Sequence, residues 1–540
     1  MKKYLSLLLA TAMIFSLAAC GGGQGTTTAP EQPAVTTEAP KPTNPPVQTQ
    51  TVTPETKYAE RVTIAMTSAM TTIDPNSVYN GNHQQLFEQV FDTLVSYDQF
   101  NNTWEPLLAE EIGYTDDTFT KLHVKLRDDI YFSNGDKITT EDVQYSFDRG
   151  TYTVVTTYYD HSEIINDREM DIILKSPNAE WIKAIGICFG SIVNKKVTEA
   201  DPNKVATIGS GPYVYDMDSY IVGSEITMKR NPQPRPWDKR EYPTETIRFV
   251  VISDASARLI ALEKGEIDIS SSFNATELPG LKANKNLVVN EFPSTNFTFF
   301  AWNNHQGCDV SEDELNFRRA VVCAIDKEEI MFMVGDDNGK IMRSQWDVSS
   351  PYYIDDESMF PTDLSYNADK AKEYLSKTTK REFECLVDTS RPWCKTSAEV
   401  MQEQLKKVGI TMKITETDSA GMTASTKWNL EIYTAECILS SNTYGGIPSG
   451  GWGFYNPGNV NKASVSDPVI LDAIKTIMSS SNEEEVKNAY YTFQIQNHEQ
   501  VYYIPLYWRV LNNAYDKNLG GFSYNSAGNF LFRGVYKIVP

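Results

Sequence analysis

Hydrophobic and polar positions along this chain switch repeatedly between a period of two and a period near 3.6. Arg61 to Met66 alternates, with Val62, Ile64 and Met66 on one side, which predicts a short strand. His83 to Tyr97 then puts Leu86, Phe87, Val90, Phe91, Leu94 and Val95 on one helical stripe. Phe119 to Arg127 returns to alternation through Leu122, Val124 and Leu126, and Asn134-Gly135 marks a tight turn. Thr139 with Asp142 caps a helix running through Phe147. Gly209-Ser210-Gly211-Pro212-Tyr213 predicts a turn entering another strand. Asp254 caps a helix carrying Ile260 and Leu262, which stops at Gly265 ahead of a strand from Glu266 to Ile269.

The second half repeats this grammar. Ser311 with Glu314 forms a capping box before Phe317, Val321, Ala324 and Ile325. Thr396 with Glu399 forms another, closed by Gly409 before a strand from Ile410 to Thr415. Ser481 and Glu484 start a third helix, and Tyr502 to Val510 is a buried strand that Pro505 places at an edge or a break. Short-period repeats are absent. Mixed elements of this kind fit two α/β lobes with a cleft between them better than one continuous sheet.

The amino terminus follows different rules. Lys2 and Lys3 precede an apolar run from Leu5 to Leu17, too short to span a bilayer comfortably. Leu17-Ala18-Ala19-Cys20 and three glycines follow, which resembles a bacterial lipobox: residues 1–20 are a lipoprotein signal peptide, and Cys20 is the lipidated residue after cleavage. Two or more acyl chains there anchor stably, where one holds marginally. Residues 21–56 are Thr, Pro, Gln and Glu with almost nothing large and apolar, and so predict a disordered tether. At an extended rise of ~3.1 Å per residue the tether reaches roughly 110 Å. These features together predict the outer face of the cell membrane, at the cell surface or in a periplasm.

Composition narrows the function classes. Hydrophobic residues make up 41% of the 540 positions, enough for sizeable cores. The formal net charge of −22, with no Lys/Arg-rich run, argues against nucleic acid as a partner. Beyond Cys20, the cysteines are Cys188, Cys308, Cys323, Cys385, Cys394 and Cys437, without a C-x-x-C pair for zinc or redox chemistry. Cys385 and Cys394 alone are close in sequence; an exported chain permits a disulfide there, and burial as small hydrophobes is the alternative. H-E-x-x-H, G-x-S-x-G and Ser-x-x-Lys are missing, the five histidines are scattered, and Gly209-Ser210-Gly211 lacks the Lys of a phosphate loop. The chain therefore reads as neither an enzyme nor a cofactor or metal protein.

Aromatic and polar residues do coincide in predicted loops. Trp302-Asn303-Asn304 ends an aromatic strand, Ser390-Arg391-Pro392-Trp393 lies between a strand and a helix, and Ser440 to Tyr455 carries Tyr444, Trp452 and Tyr455 among Gly, Ser and Asn. Loops at strand ends in open α/β sheets are where ligands bind.

Several segments resemble the family 5 extracellular solute-binding proteins, the receptors of oligopeptide, dipeptide and nickel ABC importers. They are Ile73-Asp74-Pro75, Leu86-Phe87-Glu88, Phe132-Ser133-Asn134-Gly135-Asp136 leading to Thr140-Glu141-Asp142-Val143, Gly209 to Tyr213, Arg230-Asn231-Pro232 and Ala261 to Asp268. Phe317-Arg318-Arg319-Ala320 to Ala324-Ile325-Asp326-Lys327, Gln404 to Ile410 and Ile504-Pro505-Leu506 follow in the same order as in the family.

The resemblance implies a type II periplasmic-binding-protein-like clamp with an extra β-rich subdomain in its first lobe. Lobe I would be 57–95 plus 206–298 plus 506–540, the subdomain 96–205, and lobe II 299–505, with hinge strands near Thr295–Phe300 and Val501–Leu506. It implies a monomer that binds a small solute, an oligopeptide first of all, for ABC permease subunits. The implied ligand positions are Ser68, Met70, Trp302, Arg391, Trp393, Glu436, Cys437, Trp452 and Tyr455. Peptide-binding relatives place an Asp that pairs the peptide amino group in the loop matching Ala435–Ser440. Here that loop has Glu436 and no Asp, so either Glu436 substitutes or the ligand lacks a free amino terminus. An oligosaccharide or chelated metal as cargo, and a sensory receptor in place of a transport component, are the competing readings.

Cys20→Ala is expected to abolish processing and detergent partitioning, checked by phase separation of the expressed protein. Removal of residues 1–56 is expected to leave a cooperatively unfolding body, because the tether supplies no core.

Overall fold

The computed structural model describes residues 56–69, 72–76, 81–98, 103–151, 153–274, 276–302, 311–335, 339–344, 346, 350–389, 391–417, 437–443, 465–524 and 529–539. Among them, eleven strands form one hydrogen-bonded sheet. In chain order these are β1 (Arg61–Met66), β2 (Tyr213–Ile221), β3 (Glu225–Arg230), β4 (Thr246–Val251), β5 (Ile269–Ser271) and β6 (Leu287–Trp302). They continue with β7 (Lys340–Ile341), β8 (Glu382–Asp388), β9 (Thr411–Thr417), β10 (Cys437–Thr443) and β11 (Tyr503–Asp516). Their spatial order is β9-β8-β10-β6-β11-β5-β1-β4-β3-β2, with β7 beside β11.

The hydrogen-bonded path is thus continuous, against the expectation that separate sheets fit better. The two long antiparallel strands β6 and β11 make it so, because each runs through both halves. Period-two alternation divides the cores on the two faces of this pair. Phe297, Phe299 and Tyr503 join one buried cluster; Phe300, Trp302, Ile504 and Leu506 join another. Helices Glu312–Cys323, Lys327–Val334, Ala368–Ser376 and Pro392–Val408 supply side chains to the second cluster. Helices Pro468–Ser479 and Glu483–Gln500 supply Ile470, Ile474, Ile477 and Phe493 to the first. A separate four-stranded antiparallel sheet is built from Ala109–Tyr114, Lys121–Leu126, Glu169–Leu174 and Tyr159–Asn166, in that spatial order.

Local signals explain most element ends. Thr139 N–H donates to Asp142 Oδ2 at 2.9 Å, the expected capping box of helix Thr140–Asp148. Asp254 Oδ1 accepts from Ala257 N–H at 2.8 Å. Gly209 and Gly211 are required by close approach, since a Cβ there would meet the carbonyl oxygens of Val90 and Gln89 at 2.0 and 2.5 Å.

Several expectations change, among them the strand expected over Glu266 to Ile269, which is Ile269–Ser271. The helix predicted over His83–Tyr97 ends at Val90. Beyond it the backbone bonds elsewhere: Asp92 N–H donates to Ser210 Oγ, Asp92 O accepts from Ile192, and Leu94 O accepts from Leu107. Val95–Asp98 is a strand instead. The helix expected to be capped at Thr396 is capped five residues earlier, at Arg391, and begins at Pro392, where proline suits the first helical position. Cys437 to Ser440, expected in a loop, lie in β10. Cys188, Cys323 and Cys385 are buried free thiols, so the Cys385/Cys394 disulfide alternative does not hold in this structure.

A buried charge cluster ties together distant parts of the chain. Asp92, whose side chain is 0% exposed, accepts from Arg235 at 2.6 and 3.2 Å and from Arg533 at 2.9 Å. Asp238 accepts from Arg235 at 2.9 Å, from Arg240 at 2.7 Å and from the Tyr242 hydroxyl. Burial raises the Asp238 carboxyl, but the charges of Arg240 and Arg235 outweigh it and hold the group well below the usual range. Burial pushes Glu88 up to about 7, against a hydrogen bond from Gln84 and the charge of Arg533.

Removing one partner strands the others, so Asp92→Ala is expected to cost about 3–5 kcal/mol in urea unfolding. The pH dependence has a definite sign. Glu88 keeps its proton when folded at pH values where the unfolded chain has lost it, so its contribution is complete below about 4.5 and lost as pH rises through about 7. The thermal midpoint of the parent relative to Glu88→Gln is expected to fall across that window; parallel profiles would contradict it.

Candidate functional site

Strand direction locates the site. β8 runs parallel to β9 (Asp388 beside Thr417) and to β10 (Val387 beside Leu439), so Asp388, Thr417 and Thr443 end on one edge. β1 runs parallel to β4 (Met66 beside Val251) and to β5 (Ile64 beside Ile269), giving a second set of carboxyl ends. Antiparallel register maps both sets onto the β6/β11 pair. Thr443 lies opposite Asn296, Phe297 opposite Trp508, and Ser271 opposite Asn513. From Trp508 to Asn513 is roughly 17 Å at ~3.4 Å per residue, wide enough to seat a short extended solute between the two sets of ends. The pair is irregular there, with register shifts between Pro293 and Phe297 and between Thr298 and Phe299. The second shift falls where Phe299 faces Pro505, which has no N–H for the ladder.

Charged and aromatic side chains gather at the β8 edge. Arg391 immediately precedes helix Pro392–Val408, and its Nη1 lies 3.0 Å from Oδ2 of Asp388, which is 1% exposed. A cation at a helix amino terminus opposes the dipole, and this carboxylate offsets it. Two residues on, the Trp393 ring lies 3.7 Å from the guanidinium carbon of Arg509 on β11. Alternation puts Arg509 on the same side of β11 as Tyr507, whose hydroxyl is 3.2 Å from Ser397 Oγ inside the second core. Arg509 thus sits at the margin of that core. Its carbonyl accepts from the buried Ser294 hydroxyl at 2.8 Å, next to the first register shift.

The β5 edge carries backbone strain. Ser272 adopts φ 60, unusual outside glycine. Its carbonyl accepts from the buried Arg258 at 2.8 Å, and the Asn512 side chain grips the next residue, accepting from Phe273 N–H at 2.8 Å and donating to Phe273 O at 2.9 Å. Strain of this kind persists only where neighbours over-determine it.

The structure therefore brings Trp393 against Arg509, with Arg391 two residues before it paired to Asp388, and places Ser68 two residues past β1 at the other set of ends. It does not bring Trp302 there. Trp302 pairs with Cys437, at the amino end of β10, six residues along β6 from Asn296. Its indole is 2% exposed, packed edge-on to Phe300 and beneath the Arg318 guanidinium at 5.4 Å. Trp302 is a core residue on the opposite edge. Of Cys437 only the backbone position is described, and Met70, Glu436, Trp452, Tyr455 and Cys20 lie outside the described residues. Sequence reasoning missed Arg509, Ser272 and Asn512. Among the described residues, no group of three His, Cys, Asp or Glu side chains is arranged for a metal, and no helix is long and apolar enough to cross a membrane.

The family described as bacterial extracellular solute-binding proteins, family 5 Middle, matches residues 103–461. A probable D,D-dipeptide-binding periplasmic protein of Escherichia coli (strain K12) is 25% identical over 382 residues, 65% of this chain and 69% of its own. Heme-binding protein A of Haemophilus influenzae is 22% identical over 506 residues, 85% of this chain and 88% of its own. The oligopeptide-binding protein AppA of Bacillus subtilis, solved with a nonapeptide, superposes with a TM-score of 0.71 at 18% identity, covering 90% of this chain and all of that one. That likeness establishes the two-lobed clamp fold.

Proposed function

This chain belongs to the family 5 bacterial extracellular solute-binding proteins, and from that premise we propose that it captures an oligopeptide outside the cytoplasm and hands it to the permease subunits of an ABC importer. The observation that carries the reading is the pair of opposed carboxyl-end sets flanking β6 and β11, in a chain whose family match covers residues 103–461. Relatives named for dipeptide binding support the solute class. Lobe I is proposed as 57–95, 206–298 and 506–540, with the inserted sheet at 96–205 and lobe II at 299–505. Closure would hinge on the irregular stretch of β6 and β11, the kind of few-residue element that absorbs such motion. Cys20 would hold the protein at the membrane as a lipid anchor.

A zwitterionic peptide enclosed in such a site needs both termini paired, because an uncompensated buried charge costs several kcal/mol. Arg391 is proposed for the carboxylate, with a planar fork that Lys does not reproduce. Glu436 is proposed for the amino group. A second reading, a solute without a free amine, draws on the heme-binding name of a relative that matches most of the chain and on the missing Asp in the Ala435–Ser440 segment.

Isothermal titration with free and N-acetylated peptides separates the two. Glu436→Gln is expected to weaken binding of free-amino peptides by ~1.5–3 kcal/mol, the range for hydrogen bonds to charged groups. Acetylated peptides are expected to bind poorly, and about equally, to parent and variant. Equal affinity of the parent for both forms would sink the terminus-pairing reading and leave the family assignment standing.

A further inference from the structure

The loop that follows strand Glu169–Leu174 of the inserted sheet touches the helical pair of the second half. Ala179 N–H donates to Met478 O at 3.0 Å. Met478 lies in the last turn of helix Pro468–Ser479, where carbonyls have no partner within the helix. Each side of this contact is rigid. Asn178 is fully buried; its N–H donates to Phe119 O at 3.0 Å, its carbonyl accepts from the Tyr114 hydroxyl, and its Oδ1 accepts from Glu180 N–H at 3.0 Å. Trp181, also fully buried, stacks on Tyr159 at 6.4 Å. Opposite, Asn497 donates to Tyr503 O at 2.8 Å and the Tyr502 hydroxyl to Asp467 at 3.0 Å, which fixes the two helices to the start of β11. On the second of these helices Tyr490 stacks on Tyr352 at 4.5 Å.

We propose that the Asn178–Glu180 turn is a latch, a positioning element of solute capture that holds the clamp closed. The inference rests on the clamp reading above. If helices Pro468–Ser479 and Glu483–Gln500 swing away from the inserted sheet with lobe II on opening, the Ala179–Met478 bond has to break. The latch then sets the resting balance of open and closed protein before any solute arrives, and the time a bound solute is held.

Turn geometry supplies a clean variant. Asn178 O accepts from Trp181 N–H at 3.4 Å, and Glu180 lies at φ −97, ψ −2, so Ala179 occupies the second position of a type I turn, where proline is favoured. Ala179→Pro removes the donor and keeps the turn; Ala179→Ser keeps both. Single-molecule energy transfer between dyes at the exposed positions Asp129 and Lys475 reads the open-to-closed ratio in solute-free protein. Ala179→Pro is expected to raise that ratio about two- to tenfold, as loss of one backbone hydrogen bond allows, with Ala179→Ser matching the parent. A lower thermal midpoint with an unchanged ratio shows a purely structural contact and overturns the latch. An equimolar mixture of di- to pentapeptides provides the control. If it narrows the parent to one distance while Ala179→Pro keeps the parent's solute-free ratio, the latch alone fails. If neither protein shows two distances or responds to the mixture, the clamp reading fails and takes the latch with it.

Discussion

The pairing of β6 with β11 is the constraint on which the rest of the molecule depends. A strand presents alternate residues to opposite faces, so a long pair can serve two cores only if both faces are apolar over the same stretch. Phe297 and Phe299 against Phe300 and Trp302, and Tyr503 against Ile504 and Leu506, meet that requirement. Fixing this register also fixes where every parallel strand ends, because β5 and β10 pair directly with β11 and β6. The gap between the two sets of carboxyl ends is therefore a consequence of sheet order, with no dedicated loop needed to create it.

That order explains which parts of the fold were legible in the sequence. β1 matches its alternating segment end to end, and Asp254, Ser311 and Thr139 cap the helices their patterns announce. These signals are local, carried by side chains within three residues of the backbone groups they satisfy. The helix overrun past Val90 has the opposite origin. Phe91, Leu94 and Val95 keep the helical stripe because they are buried. The partners of the Asp92 and Leu94 backbone, Ser210, Ile192 and Leu107, lie elsewhere in the sequence, and no periodicity encodes them. Helix Pro468–Ser479 went unread although Asp467-Pro468 is a cap followed by proline at the first helical position. That signal is as local as the others, a cap and a proline side by side.

The site divides in the same way. Arg391 and Trp393 were singled out because a strand-to-helix junction in an α/β chain is readable from local pattern, and the structure places both at such a junction. Trp302 was misplaced because an aromatic residue at a strand end looks alike whether it closes a core or rims a cleft. Only the pairing with Cys437 tells which edge it occupies. Arg509 stayed hidden inside a run that reads as buried strand, Tyr502 to Val510, and its place at the core margin follows from the Pro505 irregularity and the stack on Trp393.

Local conflicts with stability mark the same region. A sequence shaped for stability alone would put an acidic or capping residue before a helix such as Pro392–Val408. This one puts Arg391 there, sets Arg509 against the residue two positions on, and holds Asp388 almost wholly out of water beside them. Across the gap, Ser272 sits in a left-handed conformation that glycine would adopt at less cost, pinned by Arg258 and Asn512. Sequences agree with their folds at most positions, and departures concentrate where function demands them. Two such departures face each other across the carboxyl ends of β8 and β5, on strands tied to the same β6/β11 pair. The cationic aromatic edge and the strained backbone edge are thus both positioned by one register, that of β6 with β11.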